Sequence, residues 1–204
     1  NLKLISYNIH VGMDEFRRFT LFQLIKYLKE QDADIICLQE VLYYQFNLMK
    51  LLLKMDGIFG LHVNNKKVKF GICILSKRKI IESNHFLLTS KKEQRGMLSI
   101  NSTDLLIINT HLGLDSDERK LQISEILDFA KGKCDNIIIC GDFNEKNINL
   151  FSYNDIAKYL SKDMKPTFNK HRIDYIFMSK NIKPKYYDVD EVFYSDHFPI
   201  IVEI

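Results

Sequence analysis

The chain has 204 residues, 46% of them hydrophobic and 27% charged, with a formal net charge of +3. That composition is ordinary for a globular domain. So balanced a charge does not suggest a protein that coats nucleic acid by electrostatics alone, while leaving room for a local basic patch that receives phosphate. No run of 18 apolar residues offers a transmembrane helix, no signal peptide is read, and no Ser-, Gly- or Pro-rich linker divides the chain, so residues 1–204 are expected to form one domain.

Leu2 to Asn8 alternates and predicts a first strand. From Phe16 to Gln31, Leu21, Leu24, Ile25 and Leu28 recur at helical spacing and predict an amphipathic helix. Asp34 to Glu40 is a continuous apolar run, the pattern of a strand covered on both faces. A second helix is predicted over Tyr43 to Met55, ended by Gly57. Short strands follow near Phe59–Val63, Phe70–Leu75, Ile80–Leu87 and Met97–Ile100, and then a buried strand over Leu105–Leu112. The helix predicted over Asp117–Lys131 can be capped by Asp115 or Ser116, has Asp117 and Glu118 in its first turn, and exits at Gly132. Arg119 reads as a surface residue on it. "NIIICGDFN" is the next strand, a short helix is predicted near Asn154–Leu160, and Arg172–Ser179 and Phe198–Ile204 close the chain as strands. Many strands, some hydrophobic on both faces, with about four helices predict an α/β fold of two packed sheets covered by helices.

Cys37, Cys73, Cys134 and Cys140 never stand at C-x-x-C spacing, which disfavours zinc-ribbon and thioredoxin-like folds. Three of them sit in apolar runs and read as buried thiols. This usage favours a reducing, cytoplasmic location. The chain starts at Asn1 rather than Met, which leaves open a leader segment ahead of it.

Polar residues recur where apolar strands stop. "LISYN" ends on Asn8, "IICLQE" on Glu40, "LLIINTH" on Asn109 and His111, and "IIICGDFN" on Asp142 and Asn144; "RIDYIF" opens with Asp174 and "SDHFPI" with Asp196 and His197. If these ends converge they form a rigid polar floor at one sheet edge. Their carboxylates and amides are hard oxygen donors suited to Mg²⁺, Mn²⁺ or Ca²⁺, and with no thiolate among them zinc is disfavoured. The histidines suit proton transfer or donation to phosphoryl oxygens. No Walker A, G-x-S-x-G or H-E-x-x-H sequence is present.

The ordered set "YNIH", "LQEV", "NTHLGL", "GDFN", "RIDYIF" and "SDHFPI" resembles the endonuclease/exonuclease/phosphatase superfamily of deoxyribonuclease I-like enzymes, over nearly the whole chain from Asn8 to His197. That superfamily includes pancreatic deoxyribonuclease, exonuclease III-type repair endonucleases, sphingomyelinases, deadenylases and inositol polyphosphate phosphatases. The resemblance implies a four-layer α/β sandwich, with two packed mixed β-sheets flanked by helices, and a Mg²⁺-dependent phosphoesterase. It implies Glu40 as principal metal ligand with Asn8 beside it and Asp196 as a further ligand. Asp142 and Asn144 would orient the attacking water and a phosphate oxygen. Asp174 would orient His197 and stabilise its cation. His111 would protonate the leaving oxygen or bind phosphate, and Arg95 would bind phosphate. Whether His197 or Asp142 is the base, and whether one metal or two are held, stay open. Ile72 follows Gly71 where the family often has a polar residue, so a carboxylate or amide partner for His111 is not evident.

The expected reaction is in-line attack of an activated water on a phosphodiester, in nucleic acid or in a lipid or small molecule, by a monomer. An abasic-site repair endonuclease is the alternative. That branch usually has Thr-Lys after Gln-Glu and a tyrosine at the position of His111, whereas this chain has "LQEV" and a histidine. The tryptophan-bearing inositol phosphatase signatures are impossible with Trp 0, and no aromatic hairpin of the sphingomyelinase type is evident. The chain resembles the compact bacterial members with "THLGL…ER…Q". A non-catalytic module that kept the fold would lose ligands at random, and here they are all present.

Overall fold

A computed structural model describes residues 1–204. Strand β1 (Lys3–Asn8) runs parallel to β2 (Ile35–Leu42), and α1 (Leu21–Gln31) is the crossover between them. After α2 (Tyr43–Leu53) come β3 (Asp56–Asn64) and β4 (Lys69–Ser76), antiparallel neighbours at one edge of this first sheet. The second sheet repeats the device. After β5 (Glu82–Leu88) and β6 (Arg95–Ser102), β7 (Leu105–His111) and β8 (Ile137–Asp142) are parallel and joined through α3 (Ser116–Ala130). Then follow β9 (Tyr153–Asp155), α4 (Ile156–Tyr159), β10 (Asp174–Ser179), β11 (Tyr186–Val189) and β12 (Ile200–Glu203). The sheets have six strands each, in the orders β11-β12-β1-β2-β4-β3 and β5-β6-β7-β8-β10-β9.

The continuous apolar runs are explained by layering. On β2, Ile35 and Cys37 face the second sheet while Ile36 and Leu38 pack under α1 and α2. On β8, Ile138 and Cys140 face the first sheet while Ile137 and Ile139 pack under α3. Each strand is thus buried on both faces, and the layers run helix, sheet, sheet, helix. Cys37, Cys73 and Cys140 are buried free thiols in these layers.

Topology also explains why the polar ends meet. A parallel pair joined by a helix places both carboxyl ends at one edge. Asn8 and Glu40 therefore emerge together from the first sheet, and His111 and Asp142 from the second. The antiparallel partners reach the same edge with their amino ends: β10 pairs Asp174 with Asp142, and β12 pairs Ile200 with Ser6, just after Asp196 and His197.

Two buried devices fix this edge. The β2–β4 register shifts between Leu38 and Val41, and within that bulge Glu40 has φ +53°. A bulge re-aims a side chain at the cost of ladder bonds. Asn109 on β7 makes up the loss from across the sandwich. Its Nδ2 donates to the Leu38 carbonyl (3.0 Å) and the Cys73 carbonyl (2.9 Å), and its Oδ1 accepts from Gln39 Nε2 (2.8 Å). Asn109 is fully buried and serves as a clamp between the sheets, not as part of the floor expected from its place at a strand end. The second device is Gly141, at φ +141°, where a Cβ would collide with the Thr110 carbonyl of β7.

Some predicted bounds move. The helix expected from Phe16 begins at Leu21, because Asp14 ties residues 13–19 into a bridged turn: its Oδ1 accepts from the backbone N–H of Phe16 and of Arg18, each at 2.9 Å. The short helix expected from Asn154 is preceded by the edge strand β9, and β11 was not expected at all. Arg119, read as a surface residue, is buried and ion-paired to Glu145 at 2.8 Å.

Candidate active site

Asp142 lies at the centre of the converged edge and is 1% exposed. Its Oδ2 accepts from Asn8 Nδ2 at 2.9 Å and lies 3.4 Å from His111 Nε2 and 3.5 Å from His197 Nε2. Its Oδ1 accepts from the backbone N–H of Asn144 at 3.0 Å, in a turn where Asn144 takes φ +50°. Burial, followed by the nearby Asp174 carboxylate, pushes the Asp142 carboxyl up to about 7.

His197 is held from its other side. Nδ1 lies 2.8 Å from Asp174 Oδ2, and the Phe168 ring packs against the imidazole with centroids 4.7 Å apart. Thr167 completes the relay: its hydroxyl donates to Asp174 Oδ2 at 2.6 Å and accepts from the backbone N–H of Ile173 and of Asp174, each at 3.1 Å. Burial works against the imidazolium, but the Asp174 and Asp142 carboxylates outweigh it and raise the pKa of His197 to about 10. His197 is therefore a cation at neutral pH, hydrogen-bonded to Asp174 through Nδ1 with Nε2 turned toward Asp142.

His111 is set in the opposite sense. It is buried, and Arg95 Nη1 lies 3.0 Å from its Nδ1 and 3.2 Å from its Nε2. Burial and the guanidinium hold its pKa well below the usual histidine range. A neutral ring can accept from Arg95 at Nδ1 and present Nε2–H to Asp142, an arrangement that a cationic ring could not make because guanidinium only donates. The partner that sequence did not supply for His111 is thus Arg95, itself buried and held by Glu93 at 2.9 Å.

Asn8 Nδ2 also donates to Glu40 Oε2 at 2.6 Å, while its Oδ1 accepts from the backbone N–H of His10 at 3.0 Å. Glu40 is partly buried, and that burial raises its pKa. Asp196 stands at the outer edge, with Oδ2 3.7 Å from His10 Nε2, and Ser195 anchors this loop to the Asn8 carbonyl at 2.7 Å. The Asn144 side-chain nitrogen donates to the Leu112 carbonyl at 2.7 Å, and its backbone N–H donates to Asp142. All nine residues singled out from the sequence therefore gather at this edge. His10, Glu93, Thr167 and Ser195 were missed. His10 and Ser195 lie within the quoted motifs "YNIH" and "SDHFPI" without having been given a role, but Thr167 and Glu93 carry no local signal.

The donor set suits a divalent cation. Carboxylate oxygens of Glu40 and Asp142 lie within 4.8 Å of one another, as do those of Asp142 and Asp174, while the ring nitrogens of His111 and His197 are already engaged by their neighbours. Three carboxylates brought together with so little solvent need compensating charge, and partly buried Glu40 supplies hard oxygen donors.

A family model described as "Endonuclease/Exonuclease/phosphatase family" matches residues 5–197. The chain is 25% identical over 172 residues to the uncharacterised Escherichia coli protein YbhP, covering 71% of this chain and 67% of that protein. It is 27% identical over 163 residues to a Bacillus subtilis exodeoxyribonuclease, covering 70% of this chain and 58% of the relative. Its fold is similar to that of an endonuclease/exonuclease/phosphatase from Beutenbergia cavernae, with a TM-score of 0.85 at 17% identity, covering 98% of this chain and 70% of the other.

Proposed function

The chain belongs to the endonuclease/exonuclease/phosphatase family of phosphoester hydrolases, and from that premise we propose that it cleaves a phosphodiester with the aid of a divalent cation, Mg²⁺ by preference. The observation that carries this reading is the ring of groups around Asp142 Oδ2: an amide nitrogen and two imidazole nitrogens, all within 3.5 Å. Glu40, with Asn8 and Asp196 beside it, would hold the cation, which when bound would polarise a phosphoryl oxygen and offset developing charge.

The remaining roles follow from protonation state. Asp142, poised near neutrality, is the acceptor for the proton of the attacking water. His197, already cationic, is a donor to a phosphoryl oxygen and not the base. Asp174 and Thr167 keep it aimed. Arg95 supplies a second cation, next to neutral His111, for the negative charge that spreads over the phosphoryl group. The Asn144 backbone fixes the rotamer of Asp142.

The test is turnover of bis(p-nitrophenyl) phosphate and of DNA and RNA oligonucleotides in metal-controlled buffer. Glu40→Ala and Asp142→Ala are each expected to abolish it. Wild-type rates in either variant would overturn the assignment.

A further inference from the structure

Beside the polar floor, the turn at residues 13–19 presents aromatic side chains to solvent. Phe16 is 69% exposed and Phe19 56%; Phe22, in the first turn of α1, is 59% exposed, and Phe193 on the adjoining loop 66%. These are not strays from a loose segment. Asp14, 3% exposed, spends its carboxylate on the turn: beyond its two backbone bonds, Oδ2 accepts from Arg18 Nε at 2.7 Å. Met13 bridges to Phe19, and the Arg17 N–H donates to the Asp14 carbonyl at 3.0 Å. The Arg18 guanidinium lies 5.2 Å from the centre of the Phe16 ring. The turn is tied to the site through His10, whose Nδ1 lies 3.2 Å from the Met13 carbonyl and whose Nε2 faces Asp196. Thr20 Oγ1 donates to the Tyr194 carbonyl at 2.5 Å, which joins the loop bearing Phe193 to the same rim.

A buried carboxylate is thus used to hold a turn whose outward groups are aromatic rings and guanidinium. The hydrophobic core has little use for Phe16, so this order serves something outside it. We propose that the turn is a stacking platform for an unpaired nucleobase of a DNA or RNA strand whose neighbouring phosphodiester lies on the Asp142 floor; this rests on the phosphodiesterase reading and names its substrate class. Aromatic faces stack on any base, and arginine adds cation–π and phosphate contacts. The charges within the turn balance, Asp14 and Glu15 against Arg17 and Arg18. That removes the basic cluster by which an interfacial aromatic segment gains hold of an anionic membrane, whereas a nucleic acid has its phosphate received by the neighbouring site.

The experiment uses the full chain and 15-residue, fluorescein-labelled oligo-dT and oligo-U with phosphorothioate linkages, read by fluorescence anisotropy in Mg²⁺. Phe16→Ala combined with Phe19→Ala is expected to weaken binding of at least one oligonucleotide by about tenfold or more. Phe16→Tyr should bind as wild type does, because it keeps the ring. Both positions are more than half exposed, and an unchanged circular dichroism melting curve verifies the fold. Mg²⁺ affinity measured by isothermal titration should be unchanged in the double variant, since neither phenylalanine is a cation ligand. Affinity equal to wild type in the double variant, or a wild type that binds neither oligonucleotide, overturns the proposal. So does loss of binding to phosphatidylcholine/phosphatidylserine vesicles with oligonucleotide affinity intact, since that assigns the turn to a lipid surface. Absence of diester turnover by the wild type would instead refute the phosphodiesterase reading, and the binding comparison would still judge the turn.

Discussion

Replacing Asn109 by leucine isolates the clamp that joins the two sheets beneath Glu40. Leucine is close in size and apolar, so the change removes bonding and leaves little cavity. Three buried bonds disappear, leaving the Leu38 carbonyl, the Cys73 carbonyl and Gln39 Nε2 short of their present partner. Each buried group left unsatisfied costs about 1–3 kcal/mol, and with some relaxation the total is roughly 3–6 kcal/mol, a large share of the stability of an ordinary domain. The bulge loses its brace, so Glu40 should lose its aim as well. Urea unfolding read by circular dichroism, with tyrosine fluorescence as a second probe, gives the first quantity, and Mg²⁺ titration of the surviving folded protein gives the second. A variant within about 1 kcal/mol of wild type, with unchanged metal affinity, would refute the claim that this asparagine sets the geometry of the site.

Thr167→Val removes the hydroxyl that holds Asp174, and kcat is expected to fall about tenfold, the worth of one bond to a charged group, with Thr167→Ser restoring it; steady-state kinetics on bis(p-nitrophenyl) phosphate decide, and an unchanged kcat contradicts the relay. Gly141→Ala drives a Cβ into the Thr110 carbonyl at a positive φ and should cost roughly 2–3 kcal/mol in urea unfolding; a neutral result would show that the two strands can separate there. His62 is buried, its Nε2 has no partner, and burial, then His85 and Arg95, push its pKa from 6.5 down to about 3. The folded state thus refuses a proton that the unfolded chain accepts below pH 6.5, so its stabilising effect is full above that pH and is lost on acidification. Between pH 6.5 and pH 5, His62→Gln should spare about 2 kcal/mol of the wild-type loss in urea unfolding, and equal losses in the two proteins would contradict this.

The strands and their polar ends were legible because their signals are local. A two-sided apolar run closed by Asn, Glu or Asp reads the same wherever it lies, and the six motifs are short and ordered. The order of strands in the sheets was not legible, because pairing is decided by register and packing between distant segments. The same holds for Thr167 and Glu93, which act only through residues brought to them by the fold. Glu40 could be named but its bulge could not, since nothing in "CLQEVL" marks a left-handed glutamate; the reason for it lies on Asn109, far along the chain. The turn at residues 13–19 misled for a different reason. The helical spacing of Leu21 to Leu28 extends back to Phe16, and only the bonds of Asp14 show that the chain is stopped before the helix begins. Arg119 lies on a helix rich in charge, and its burial depends on Glu145 beyond the next strand.

The measurement closest to the central claim is isothermal titration of Mg²⁺ or Mn²⁺ into the wild type and Glu40→Gln, paired with bis(p-nitrophenyl) phosphate turnover over the same metal concentrations. Saturable binding by the wild type is expected, with turnover that follows occupancy and is lost in EDTA, and at least about tenfold weaker binding when the Glu40 charge is removed. Turnover that persists in EDTA, or identical titrations of the two proteins, would contradict the central claim.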